Sequence, residues 1–212
     1  MAVRGGGQRS WTPTELRVIG AVDTCVERWG FDKVTVDDIA RESGVSRATL
    51  YRLFPGGRDV IFDAHRVHQI DAFFAVVLAR LDGADSLEEI LVRVVTAATQ
   101  ELRADEHLAT LMAAEPGAVV NELTVAGLPR IVRMATAYMV PVVDPYLPRH
   151  ASRPLIDVIA RLVISYFLSP SEHVDLADED SARAFLAPFL APFLAPYLAA
   201  DDPSTPERIP TP

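Results

Sequence analysis

Cysteine is all but missing from this chain of 212 residues: Cys25 is the one thiol, so no intramolecular disulfide can form. It falls in an apolar helical stretch, where a buried thiol behaves as a small hydrophobe. A lone cysteine suits a reducing compartment. Long apolar runs are missing too. None reaches the ~18 residues of a membrane span, and Met1 to Ser10 lacks the apolar centre of a secretory signal. A cytoplasmic protein with no membrane partner is expected. No alternating apolar and polar run is bounded by hairpin turns, which excludes a sheet-based fold. Catalytic signatures are absent as well. There is no Gly-rich phosphate loop, no Gly-x-Ser-x-Gly, no metal triad and no evident Ser/His/Asp set. The expectation is therefore no enzyme, no cofactor and no metal. His65 and His68 have metal-ligand spacing, with Asp71 three further on, but two histidines without a firm third ligand fit a solvated face or local hydrogen bonds better.

Positive charge is also in short supply, with 20 Lys and Arg against 29 Asp and Glu, a net charge of −9. Taken whole, that balance argues against a nucleic-acid partner. The distribution points the other way. Residues 1–60 sum to +1, and the remainder carries −10. Two parts with different partners are implied.

What is present is apolar helical pattern. Half the residues are hydrophobic, enough for a sizeable core. Thr12-Pro13 opens a first helix, with Leu16, Ile19, Val22, Val26 and Trp29 as an apolar stripe and Gly30 as its stop. Thr35 starts a second, with Thr35-x-x-Asp38 spaced as a capping box. Gly44 ends it and Val45 plugs the turn. Ser46 caps a third helix, Arg47 to Phe54, and Pro55-Gly56-Gly57 breaks it. A fourth runs from Arg58 to about Leu81. A fifth follows the Ser86-x-x-Glu89 box. A sixth spans about Asp105–Ala114, and residues 118–127 stay unassigned. A seventh runs from Pro129 to Tyr146, bent or interrupted at Pro141. An eighth spans about Arg153 to Leu168. The last starts near Asp180 and is expected to stay regular only to about Ala187, because Phe-Leu-Ala-Pro then repeats at 185–188, 189–192 and 193–196. Each interior proline costs ~3 kcal/mol in a helix.

The expected organisation is all-α, with about nine helices. Residues 1–10 form a basic tail and 11–57 a three-helix head. Residues 58–200 form a larger helical domain, and 201–212 a loose tail. The head is the informative part. Two short capped helices meet at Ser43-Gly44-Val45, a turn that sends the second helix steeply across the first. That helix buries Leu50, Leu53 and Phe54. It offers Arg47, Thr49, Tyr51 and Arg52 outward, with Ser46 and the free N–H groups at its start suited to phosphate. Ala48 is small enough for close approach to a major groove about 12 Å wide.

On Thr-Val-x-x-Ile-Ala at 35–40, Gly-Val-Ser at 44–46, Thr-Leu-Tyr-x-x-Phe at 49–54 and Trp29-Gly30-Phe31, the chain resembles the tetracycline-repressor (TetR) family of bacterial regulators. The likeness covers about residues 14–62. It implies that Ser46 and Tyr51 contact phosphates and that Arg47 meets base edges or backbone. Thr49 and Arg52 are implied neighbours in that interface. Thr35 is implied to touch a phosphate besides capping its helix, and Arg58 to grip the DNA backbone. Pro55-Gly56-Gly57 is one residue longer than the connection usual in the family. Arg4 and Arg9 belong to a solvated tail or to a minor-groove arm, the tail being favoured.

Beyond the head, the resemblance implies a ligand pocket among helices four to seven. Its candidates are Phe73, Phe74, Met112, Tyr138 and Met139, with plain core as the competing reading of each. The scarcity of charge on the seventh helix suits a hydrophobic effector. The eighth helix is apolar nearly all round and must be covered on two sides. The resemblance implies that a second subunit supplies one of them, with Ile159, Leu162, Val163, Tyr166, Phe185 and Phe189 at a homodimer interface. The function expected is a ligand-released repressor on a pseudo-palindromic double-stranded operator. The competitors are a dimeric binding module without DNA binding and, behind it, an enzyme.

Overall fold

The computed structural model describes residues 10–114, 116–121, 123–124 and 127–198. The tails, with Arg4 and Arg9, lie outside them. The described chain is all-α. Its helices are α1 (Pro13–Trp29), α2 (Val36–Ser43), α3 (Arg47–Leu53), α4 (Arg58–Ala79), α5 (Leu87–Ala104), α6 (Glu106–Ala114), α7 (Pro116–Asn121), α8 (Leu128–Val143), α9 (Arg149–Leu168) and α10 (Glu179–Leu198), with a 3-10 turn at Phe31–Lys33. Among the described residues none of these helices is long and apolar enough to cross a membrane. The chain packs as two units, one ending at Ala75 and the other starting at Val76. The first unit thus extends past the Pro55-Gly56-Gly57 connection, because Ile61, Phe62 and Ala64 of α4 belong to the core of α1–α3.

Local chemistry sets the elements of the first unit. The Thr12 hydroxyl accepts from the Glu15 amide while the Glu15 carboxylate accepts from the Thr12 amide, a reciprocal cap on α1. Gly30, at φ 79°, ends that helix. The buried stripe of α1 is Val18, Ile19, Ala21, Val22 and Cys25, whereas Leu16, expected to face inward, is 40% exposed. Cys25 is fully buried, and that burial, followed by the carboxylates of Glu42 and Asp38, pushes its thiol up. The shared core adds Val34, Ile39, Val45, Leu50 and Phe54.

In the second unit α5 is buried on most sides by Leu87, Ile90, Leu91, Val94, Val95 and Ala98, and it packs against α6, α9 and α10. Gln100 donates to the Ala177 carbonyl at 2.8 Å and Arg103 pairs with Asp175 at 2.8 Å, tying α5 to the segment before α10. The short helix α7 occupies part of the stretch that sequence leaves unassigned. Helix α9 begins four residues earlier than expected, carrying Pro154 inside it, and α8 continues through Pro141.

The largest departure from expectation is α10. It does not stop near Ala187 but runs to Leu198 through the repeats. Prolines four apart share one helix face. The carbonyls that Pro188 and Pro192 leave without a donor belong to Ala184 and Pro188. All three residues are exposed, so water replaces the lost bonds. Leu186 and Leu190 are buried and anchor the opposite side. Pro192→Ala should restore a backbone bond at no packing cost and raise Tm by a few degrees. A fall in Tm by calorimetry would show that the rings themselves support the helix.

Candidate nucleic-acid interface

Four residues set the start of α2 and its turn into α3. Thr35 and Asp38 form the expected capping box: the Thr35 hydroxyl donates to Asp38 Oδ2 at 2.6 Å, and the Asp38 amide donates back to it at 3.3 Å. Hydrogen bonds from that hydroxyl and then from the Thr35 backbone hold the Asp38 carboxyl below the usual carboxylate range. Gly44 takes a left-handed conformation at φ 66°, which a side chain rarely adopts. Ser43, which sequence places in the turn without a role, braces it. Its Oγ donates to the Ile39 carbonyl at 2.6 Å and accepts from the Val45 amide at 3.3 Å.

Helix α3 is only seven residues long, and its two faces differ sharply. Leu50 and the following Phe54 are buried, while Ser46, Arg47, Ala48, Tyr51 and Arg52 are exposed and Thr49 is half-buried. The Ser46 Oγ accepts from the Thr49 amide at 3.3 Å and donates to the Thr49 hydroxyl at 3.0 Å. The outward Arg47 meets Asp37, Arg41 meets Asp38, and Arg28 meets Glu42. Such exposed pairs contribute little to the stability of the fold. Arg52 has no ion-pair partner among the described residues.

Tyr51 is 46% exposed, with its ring against the backbone of Gly57. A Cβ on Gly57 would lie 2.9 Å from Tyr51 Cε1, and its φ is +69°. The glycine after α3 therefore fixes where the tyrosine stands, a link that sequence does not reveal.

Arg58 departs from its expected role. Its Nε donates to the Val34 carbonyl at 2.7 Å and its Nη2 to the Phe31 carbonyl at 2.6 Å. The guanidinium also lies over the rings of Phe62, at 4.6 Å, and Phe31, at 5.3 Å. It ties α4 to the link between α1 and α2 through Nε and Nη2, while Nη1 lies 3.7 Å from the exposed Asp59 carboxylate.

The other candidates stand as follows. Phe73 and Phe74 touch edge to face at 5.2 Å in the first unit. In the second, Met112 is half-buried and Tyr138 and Met139 are buried. Of the interface candidates, Ile159 and Val163 are each 5% exposed and belong to the protein's own core, so they are withdrawn from the outer face. Leu162, Tyr166 and Phe185 are half-buried, and Phe189 is 63% exposed. Val158, 60% exposed, takes the outward position on α9. Tyr166, Phe185 and Phe189 form a run of rings with centroids 5.3 and 5.4 Å apart. His65 hydrogen-bonds Asp23 of α1 at 2.6 Å, and among the described residues no group of His, Cys, Asp and Glu is arranged for a metal.

If Arg58 is a structural tie, Arg58→Ala should lower the melting temperature and leave the salt dependence of DNA binding unchanged. Loss of one backbone contact would instead reduce the log–log salt slope by about 1, which an affinity titration in salt resolves. Gly57→Ala should weaken DNA binding more than it lowers Tm, because it displaces Tyr51.

A family model for bacterial regulatory proteins of the tetR family matches residues 24–64, the stretch from the middle of α1 into α4. An uncharacterized HTH-type transcriptional regulator of Mycobacterium tuberculosis is 36% identical over 99 residues, 47% of this chain and 50% of that protein. The uncharacterized HTH-type regulator YdeS of Bacillus subtilis is 34% identical over 110 residues, 50% of this chain and 46% of that protein. The chain spans about half the length of the curated relatives it matches. The crystal structure of the TetR family repressor AlkX from a Dietzia strain superposes with a TM-score of 0.60 at 24% identity, covering 90% of this chain and 98% of that one, which establishes a shared fold. The matched proteins bear the names of transcription regulators, and residues 24–64 of this chain match the model of the bacterial regulatory proteins of the tetR family.

Proposed function

We propose that this protein is a homodimeric, ligand-released repressor that reads a pseudo-palindromic operator with α3. The carrying observation is the split character of that helix. Leu50 and Phe54 are buried, while Ser46, Arg47, Tyr51 and Arg52 stand exposed on the opposite side. A capped helix start supplies backbone donors for phosphate, and the arginines supply charge and base-edge donors. Thr35 and Thr49 add hydroxyls beside them.

Support for a dimer comes from the apolar surface on α9 and α10. Val158, Leu162, Tyr166, Phe185 and Phe189 are more apolar and aromatic than a solvated helix pair requires. Two copies related by a two-fold axis would cover this surface and present two α3 helices to two half-sites. A small apolar effector suits the second unit, whose α5 and α8 supply Tyr138, Met139 and a run of aliphatic side chains. AlkX is implicated in n-alkane biodegradation, but for this chain the apolar reading rests on its own residues. Helix α4 is continuous across the division at Ala75, which gives an effector a covalent route to the head. An effector shifts the equilibrium only if it binds the two states unequally.

A mobility shift on the DNA upstream of the protein's own gene, titrated with salt, tests the DNA reading. Affinity should fall with a log–log slope of about 0.9 per neutralised phosphate. Arg47→Ala and Tyr51→Ala should each weaken specific binding about tenfold or more without changing the circular dichroism. Salt-independent binding, or variants that bind like the parent, would refute it. Phe189→Asp should convert a dimer to a monomer by light scattering, and a parent that is already monomeric at micromolar concentration would refute the dimer.

A further inference from the structure

We propose that Asp37, which lies on α2 and not on the reading helix, is a specificity-determining residue: it orients the Arg47 guanidinium toward a guanine. This rests on the reading of α3 as the DNA-contacting helix.

The two side chains meet across the turn, ten residues apart in sequence. Arg47 Nη1 donates to Asp37 Oδ2 at 3.2 Å, and Arg47 Nε lies 3.0 Å from Asp37 Oδ1. Both side chains are more than half exposed, 60% for Arg47 and 53% for Asp37. Asp37 is not needed as a cap. Its neighbour Asp38 fills that role with Thr35 and also takes Arg41. An additional exposed anion beside a phosphate-binding helix weakens attraction to any DNA. What it supplies instead is orientation. An arginine on four rotatable bonds can reach a phosphate or a base with equal ease. Held by one hydrogen bond from Nη1 and by the ion contact at Nε, it keeps both hydrogens of Nη2 and the outer hydrogen of Nη1 for an acceptor pair beyond. The O6 and N7 atoms of guanine are such a pair. Asp37 therefore acts in two ways at once. It lowers affinity for all sequences and aims the remaining donors at one base.

The test compares the parent, Asp37→Ala, Asp37→Asn, Arg47→Ala and the Asp37→Ala/Arg47→Ala double variant. A random duplex pool is enriched on the parent. Affinities are then measured for the enriched duplex and for copies in which each G·C pair is changed in turn to A·T. The parent should discriminate at one G·C pair per half-site, and Arg47→Ala should lose that discrimination. Asp37→Ala should lower it about fivefold at the same pair alone, while binding to an unenriched duplex tightens. Asp37→Asn, which keeps an acceptor for Nη1, should fall between. In the Arg47→Ala background, Asp37→Ala should leave discrimination unchanged. Equal tightening on every duplex with discrimination intact would mean that Asp37 only repels phosphate, and would overturn the proposal. Enrichment of no sequence by the parent would overturn the assignment of α3 itself.

Discussion

A seven-residue helix cannot hold itself together in water, and every functional statement about α3 depends on the burial of Leu50 and Phe54 beneath it. Those two side chains enter one core with Ile39, Val45, Ile19, Val22 and Ile61, and the core in turn fixes which residues of α3 remain outside. The capping groups are secondary to this packing but decide its register. Ser46 starts α3, Gly44 reverses the chain, and Ser43 bonds both sides of the reversal. A slip of one residue in that turn would rotate the helix by about 100° and exchange the outer and inner faces.

Charge in the head is handled by assignment more than by abundance. Three arginines near the turn each meet a carboxylate at the surface, and Arg58 is drawn inward onto two carbonyls and two phenyl rings. A cation that closes a loop spends donors on the fold, while one held by an exposed carboxylate still presents its remaining donors outward. The near-neutral head is therefore compatible with a polyanionic partner. What matters is which positive groups are committed to the fold and which are lent to a weak pair.

The head was legible in the sequence because its signals are local. A threonine three residues before an aspartate, a glycine where the chain must turn left-handed, and a serine before a short apolar pattern each act within one turn of helix. The positions that sequence does not resolve share the opposite property. Arg58 finds carbonyls 24 and 27 residues away, and no spacing rule announces them. Ile159 and Val163 sit on a helix that is apolar all round, so its periodicity cannot tell the core side from the outer side. The cost of each proline in α10 is not a fixed quantity per residue, because it depends on whether the carbonyl it abandons faces water. Gly57 was readable as a breaker, but its closeness to Tyr51 exists only in three dimensions.

The Phe-Leu-Ala-Pro stretch has a consequence of a different kind. Its period of four is slightly longer than the 3.6 residues of a helical turn, so each repeat advances the helix about 6 Å and turns it about 40°. Within one or two copies the leucines still face the core and the prolines still face water. A whole repeat is therefore a unit of length that replication slippage can add or remove without scrambling the faces. The end of α10 is a place where a duplication of twelve bases extends a surface instead of breaking a helix, and the reach of that surface can drift faster than the rest of the fold.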